Sequence, residues 1–148
     1  EIEQLYSAQA AKKGLYFKTS VDPKIDTIST NKLYFKEIMQ NFVTNAIKYT
    51  QQGGITVSVQ LDGSDNIKVL VADTGNGIAK SEQPKVFDKF WRSEDPLTRS
   101  TNGTGLGLFI TAKLARHIHG ELGLYSELKK GSTFSLKVPK ILQNEDLK

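Results

Sequence analysis

The stretch NKLYFKEIMQNFVTNAIKYT, residues 31–50, decides the fold. It is the longest periodic segment of the chain. Phe35, Met39, Phe42, Val43 and Ala46 recur at helical spacing on one side, which predicts a helix over 31–50 with Thr30 or Asn31 as its cap. At ~100° per residue, Asn41, Asn45 and Lys48 form a second stripe opposite the apolar one, flanked by Glu37 and Thr44. Helix faces that meet only water favour Lys and Glu, and asparagine is a mediocre helix former. Two asparagines one turn apart, followed by a lysine, mark a surface that holds something.

Outward from this helix, Gln51-Gln52-Gly53-Gly54 breaks the period and two strands follow. Ile55, Val57, Val59 and Leu61 alternate with Thr56, Ser58 and Gln60. Asp62-Gly63-Ser64-Asp65 turns the chain, and Ile67, Val69 and Val71 repeat the alternation. Upstream, Ile2, Leu5, Tyr6 and Gln9 predict a helix over 1–13 stopped by Gly14, then a strand over 15–21 and a turn at Asp22-Pro23. Downstream, 106–119 reads as an apolar helix closed by Gly120. Residues 121–128 and 132–138 read as a strand pair joined through Lys129-Lys130-Gly131, and 141–148 as a fraying polar tail. The expected fold is an α+β two-layer sandwich: a mixed, mostly antiparallel sheet covered on one face by about three helices. One domain spans 1–140 and the tail 141–148.

Composition narrows the chemistry. With 148 residues, 38% hydrophobic and 24% charged, the chain is one globular domain rather than a disordered segment. The absence of cysteine excludes a disulfide scaffold, a thiolate metal site and a cysteine nucleophile. No stretch approaches the ~18 apolar residues of a membrane span. The net charge of +4 is spread without a basic run, so a nucleic-acid partner is not expected. His117 and His119, two apart on a helix, would diverge and make a poor chelating pair. Late in a helix, histidines suit the negative dipole end. Glu1 at the start and a single methionine, Met39, read as a piece of a longer polypeptide.

Between Asp73 and Gly107 periodicity lapses, the pattern of a functional loop. DTGNGI, 73–78, directly follows a buried strand; Gly75 and Gly77 would let backbone approach a ligand, with the Asp73 carboxylate pointing into the same space. It lacks the third glycine of a dinucleotide fingerprint, position 80 being Lys80. GTGLGL, 103–108, opens the next helix, where backbone N–H groups suit a polyphosphate, although no Gly-Lys-Ser/Thr of a P-loop follows. The polar segment 93–102 ahead of it reads as a mobile flap.

Taken together, these motifs resemble the catalytic ATP-binding domain of bacterial sensor histidine kinases, a fold shared with gyrase-type and MutL-type ATPases. NFVTNAIKYT (41–50) is similar to that family's asparagine box and DTGNGI to its first glycine box. VFDKFWR (86–92) is similar to its phenylalanine box, GTGLGL to its second glycine box, and KKGSTFSLKVP (129–139) to its closing strand. The resemblance runs from the first helix to Pro139 and implies Mg²⁺-ATP as cofactor. It implies that Asp73 accepts from the adenine amino group, Asn45 ligates Mg²⁺, and Asn41 positions the phosphates or the metal's water shell. Lys48 and Arg92 would supply charge to the phosphates, while Tyr49, Ile78, Trp91 and Thr133 flank the nucleotide. Gly75 and Gly77 would give close approach, and Gly103, Thr104, Gly105, Leu106, Gly107 and Leu108 would wrap the triphosphate. Phe87 and Phe90 would pack the base of the flap.

The resemblance also implies a missing half. The phosphate acceptor would be a histidine on a separate dimerisation domain of the parent protein, with a response regulator receiver domain downstream. The isolated piece would be monomeric and unable to autophosphorylate, and it would lie in the cytoplasm whether or not its parent is anchored in the membrane. The alternatives are a stand-alone gyrase- or MutL-like ATPase switch and an anti-sigma-type serine kinase. The first usually carries a glutamate base where Asn41 stands, and the phenylalanine box and long flap disfavour the second. A degenerate module that has lost ATP is disfavoured by the intact asparagines, Asp73 and glycines.

Overall fold

A computed structural model of the chain describes residues 2–25, 28–88 and 107–141. Helix α1 (Ile2–Lys12) ends at Gly14, whose φ of +80° is the left-handed turn that glycine tolerates, and leads into β1 (Tyr16–Val21). Tyr6 and Ala10 are its buried residues, whereas Leu5, expected on the same face, is 54% exposed. Helix α2 (Lys32–Tyr49) follows, capped by Asn31, whose side chain accepts from the Tyr34 amide at 3.0 Å. Its inner face buries Ile38, Met39, Phe42, Val43 and Ala46.

The hairpin of β2 (Gly54–Asp62) and β3 (Asn66–Asp73) comes next, then helix α3 (Gly107–His117) and the closing pair β4 (Glu121–Glu127) and β5 (Gly131–Pro139). The five strands form one sheet in the order β1-β2-β3-β5-β4. Only β1 and β2 run parallel; the other neighbours are antiparallel. Ile55, Val57, Ile67, Val69, Val71, Phe134, Leu136 and Val138 face the helices and are buried with them. The expected α+β sandwich, with three helices among the described residues on one face, is the fold observed. No helix among the described residues is long and apolar enough to cross a membrane.

Three expectations shift. Helix α3 ends at His117, and the left-handed residue is His119, with φ of 57°, not Gly120. The Gly120 amide donates to the Ala115 carbonyl at 2.7 Å and that of His119 to Arg116 at 3.2 Å, a Schellman closure. Gly120 is needed for space instead: a Cβ there would lie 2.8 Å from Leu136 Cδ1 and 3.1 Å from Val138 Cγ1. Second, Ile141, expected to open the tail, forms an isolated parallel bridge with Ser29. Residues 142–148 lie outside the described residues. Third, the strand expected over 15–21 begins at Tyr16 and is a largely exposed edge strand.

Candidate active site

A pocket opens between the helical layer and the ends of β3 and β5. Helix α2 contributes Asn45, Ala46 and Tyr49, all from its last two turns. Asp73 comes from the end of β3, and Asn76, Gly77 and Ile78 from the loop after it. Leu108 enters from the first turn of α3, and Ser132 and Phe134 from β5. The walls are mainly apolar. Phe134 is fixed by Phe42 at 5.4 Å between ring centroids and by Phe87, edge-on, at 6.1 Å.

Asp73 is the carboxylate among the described residues that line this cavity. Its Oδ1 accepts from the Gly75 amide at 2.9 Å and from the Ser132 amide at 3.2 Å. Burial pushes its carboxyl above the ordinary 3.8, and the two amide bonds pull the other way without cancelling it. Both hydrogen bonds from the described residues fall on Oδ1, which leaves Oδ2 to accept from a ligand. An apolar slot with one oriented acceptor suits a flat heteroaromatic ring that carries an amino group.

The loop 73–78 is held by backbone packing. Thr74 Oγ1 donates to the Gln52 carbonyl at 2.7 Å and accepts from the Gly54 amide at 3.0 Å, locking the loop to the break after α2. A Cβ on Gly75 would stand 2.5 Å from the Tyr49 carbonyl oxygen. One on Gly77, at φ of +70°, would run into the Glu127 carbonyl. Both glycines make room for neighbouring backbone, and Gly77 also lines the cavity. The Lys129 amide completes the joint by donating to the Asn76 carbonyl at 2.6 Å.

Asn41 lies outside the cavity lining. Its Nδ2 donates to Thr111 Oγ1 at 3.0 Å and to the Gly107 carbonyl at 3.4 Å, tying α2 to the start of α3. Thr111 Oγ1 donates to the same Gly107 carbonyl at 2.8 Å. Lys48 Nζ lies 5.6 Å from the ring centroid of Tyr49, at the edge of the cavity. Thr133 does not line it. Strand alternation turns Thr133 to the opposite face, in register with Ala72 and with Tyr125, which is 68% exposed. Ser132 and Phe134 take its place, and counting in steps of two from the apolar Phe134 would have found Ser132. Ala46 and Asn76 carried no signal of their own in the sequence. Trp91, Arg92, Gly103, Thr104, Gly105 and Leu106 lie outside the described residues, as do Phe90 and the segment 93–102.

Comparison with known proteins gives the family. Residues 30–142 match the family described as histidine kinase-, DNA gyrase B- and HSP90-like ATPase. The chain is 34% identical over 150 residues to the aerobic respiration control sensor protein ArcB of Escherichia coli (strain K12), covering 99% of this chain and 19% of ArcB. It is 35% identical over 144 residues to the autoinducer 2 sensor kinase/phosphatase LuxQ of Vibrio vulnificus (strain YJ016), covering 93% and 17%. The chain thus spans less than a fifth of the length of these relatives. Among solved structures, full-length ShkA in complex with AMPPNP superposes with a TM-score of 0.82 at 29% identity, over 93% of this chain and 28% of that one. The nucleotide-free catalytic domain of the histidine kinase ThkA superposes at 0.78 with 22% identity, over 95% and 88%, a likeness of fold.

Proposed function

The chain belongs to the histidine kinase-, DNA gyrase B- and HSP90-like ATPase family, and from that premise we propose that it is the ATP-binding catalytic domain of a sensor histidine kinase. The observation that carries the reading is Asp73, an oriented carboxylate in an apolar slot. Adenine fits such a slot: its amino group donates to Oδ2 while Ile78, Leu108 and Phe134 cover its faces. The AMPPNP bound by ShkA supports the same ligand class.

Among the described residues no group of three His, Cys, Asp or Glu could hold a metal. Mg²⁺ takes few protein ligands and is held largely by phosphate oxygens and water. Asn45, on the cavity wall, would be its protein ligand. When bound, Mg²⁺ neutralises charge on the phosphates. Lys48 and Arg92 would add charge to the same end of the nucleotide, and residues 103–108 would supply backbone donors. The γ-phosphoryl would pass to a histidine on a separate dimerisation domain of the parent, and from there to a response regulator. On this reading the chain works in the cytoplasm and is a monomer when isolated.

Asn41 separates this reading from a hydrolytic switch. An amide engaged with Thr111 and Gly107 has no basic group to activate water. Calorimetric titration with Mg²⁺-ATP tests the proposal. Micromolar to millimolar binding is expected, weakened ~10–100-fold in Asp73→Ala by loss of a charge-assisted hydrogen bond. No binding by the unaltered chain, or equal binding by both, overturns it.

A further inference from the structure

Two walls of the cavity are joined by a side chain that does not line it. Ser126 on β4 stands directly opposite Ser132 on β5. Its hydroxyl accepts from the Ile78 amide at 2.8 Å, donates to the Gly131 carbonyl at 3.0 Å, and lies 2.8 Å from Ser132 Oγ. A hydroxyl has one proton and two lone pairs. With its proton on the Gly131 carbonyl, both lone pairs of Ser126 are taken, one by the Ile78 N–H and one by the Ser132 O–H. The backbone of the same residue closes a second loop. Gln83 Nε2 donates to the Ser126 carbonyl at 3.1 Å and to the Ile78 carbonyl at 3.0 Å. Ile78 is therefore held at both of its backbone polar groups, and Ser132 in turn holds Asp73 through its amide.

We propose that Ser126 is a positioning residue that sets nucleobase selectivity, holding the Ile78 wall and the Ser132–Asp73 wall in one register. The inference rests on the reading of the cavity as a nucleotide site. Its proton has a second seat. Turned onto Ser132 Oγ, it releases the Ser132 proton to be donated into the cavity. Asp73 then takes a hydrogen bond from the base and Ser132 gives one. That pair fits a purine whose amino group adjoins an unprotonated ring nitrogen. It rejects a purine that presents a carbonyl beside a ring N–H, where donor and acceptor are reversed.

The test is a cycle between protein and ligand. The chain, Ser126→Ala and Ser126→Thr are titrated with Mg²⁺-ATP and with the Mg²⁺ complex of purine riboside triphosphate, which keeps the ring nitrogen and lacks the amino group. Ser126→Ala should bind ATP about tenfold more weakly and the analogue less than about threefold more weakly, because only ATP uses the register between amino group and Asp73. Ser126→Thr keeps the hydroxyl and should keep the unaltered chain's preference. Partial unfolding lowers the competent fraction and scales both affinities equally, so it leaves the ratio intact. A clear preference for ATP that survives in Ser126→Ala overturns this inference alone, as does a preference lost equally in Ser126→Thr. No preference in the unaltered chain overturns the reading of the site and this inference with it.

Discussion

Asp73 sets binding against stability at a single carboxyl. Burial holds its pKa above the ordinary 3.8 despite the amide bonds from Gly75 and Ser132. A carboxyl whose folded pKa exceeds its unfolded value binds protons more tightly when folded. The stabilisation from that proton is fully present below the unfolded value and is lost as pH rises through the folded one. At neutral pH the ionised group therefore costs stability. Asp73→Asn keeps Oδ1 as acceptor for both amides and removes the charge. It should gain ~0.5–2 kcal/mol at pH 7, a rise of a few degrees in Tm, with the gain shrinking as the pH of the melts is lowered toward 3.8. The same variant should lose Mg²⁺-ATP in a titration, since an amide N–H₂ meets the amino group where an acceptor is needed. A variant less stable at pH 7 would count against burial as the origin of the shift. Asp73 was legible in the sequence as a carboxylate ending a buried strand before two glycines, and it was the order of the motifs around it that gave it a ligand. Ser132 was not, because choosing it over Thr133 needs the phase of β5, which Phe134 reveals only when read as core.

At the scale of elements, what was legible followed local rules and what was hidden crossed the chain. The Asn31 cap is a contact three residues long and was read directly. Asn31→Ala should cost about 1 kcal/mol in denaturant melts without weakening nucleotide binding. The other end of α2 is held from afar: Lys13 Nζ donates to the Ile47 and Lys48 carbonyls at 2.8 and 3.0 Å, across 34 and 35 residues. Thr50 Oγ1 covers the Ala46 carbonyl at 2.6 Å. No capping pattern in the sequence names Lys13. The glycines make the same point, because Gly63 and Gly77 have almost equal φ, +71° and +70°. A Cβ on Gly63 meets nothing within 4 Å, whereas one on Gly77 enters the backbone of Glu127 and Leu128. Gly63→Ala should cost ~1–2 kcal/mol, the left-handed strain alone. Gly77→Ala should cost clearly more in the same denaturant series and also weaken nucleotide binding, since its loop lines the cavity. Equal costs would mean that the contact with the β4–β5 turn relaxes freely.

For the whole molecule, the question is where a phosphoryl group can go. Leu108, in the first turn of α3, lines the cavity, while His117 is the last residue of that helix. Nine residues at ~1.5 Å each put about 14 Å along the axis between them, far beyond the ~3 Å approach of reacting atoms. His117 is also packed edge-on against Tyr34 at 5.7 Å, and His119 is part of the α3 closure at φ of 57°. Both of the chain's histidines thus have structural roles at the end of α3 remote from the cavity. On the proposed kinase reading, this leaves the chain's own histidines out of reach and calls for an acceptor on a second component. Incubated alone with Mg²⁺-ATP labelled at the γ-phosphate, the chain should take up no acid-labile, base-stable label, and His117→Ala should leave that result unchanged. Adding the parent's dimerisation domain should produce such label on that domain, and Asp73→Ala should reduce it ~10–100-fold at nucleotide concentrations below saturation, in step with its weaker binding. Label on this chain in the absence of any partner would show that the phosphoryl group reaches one of its own histidines, and the two-component reading of the transfer would fall.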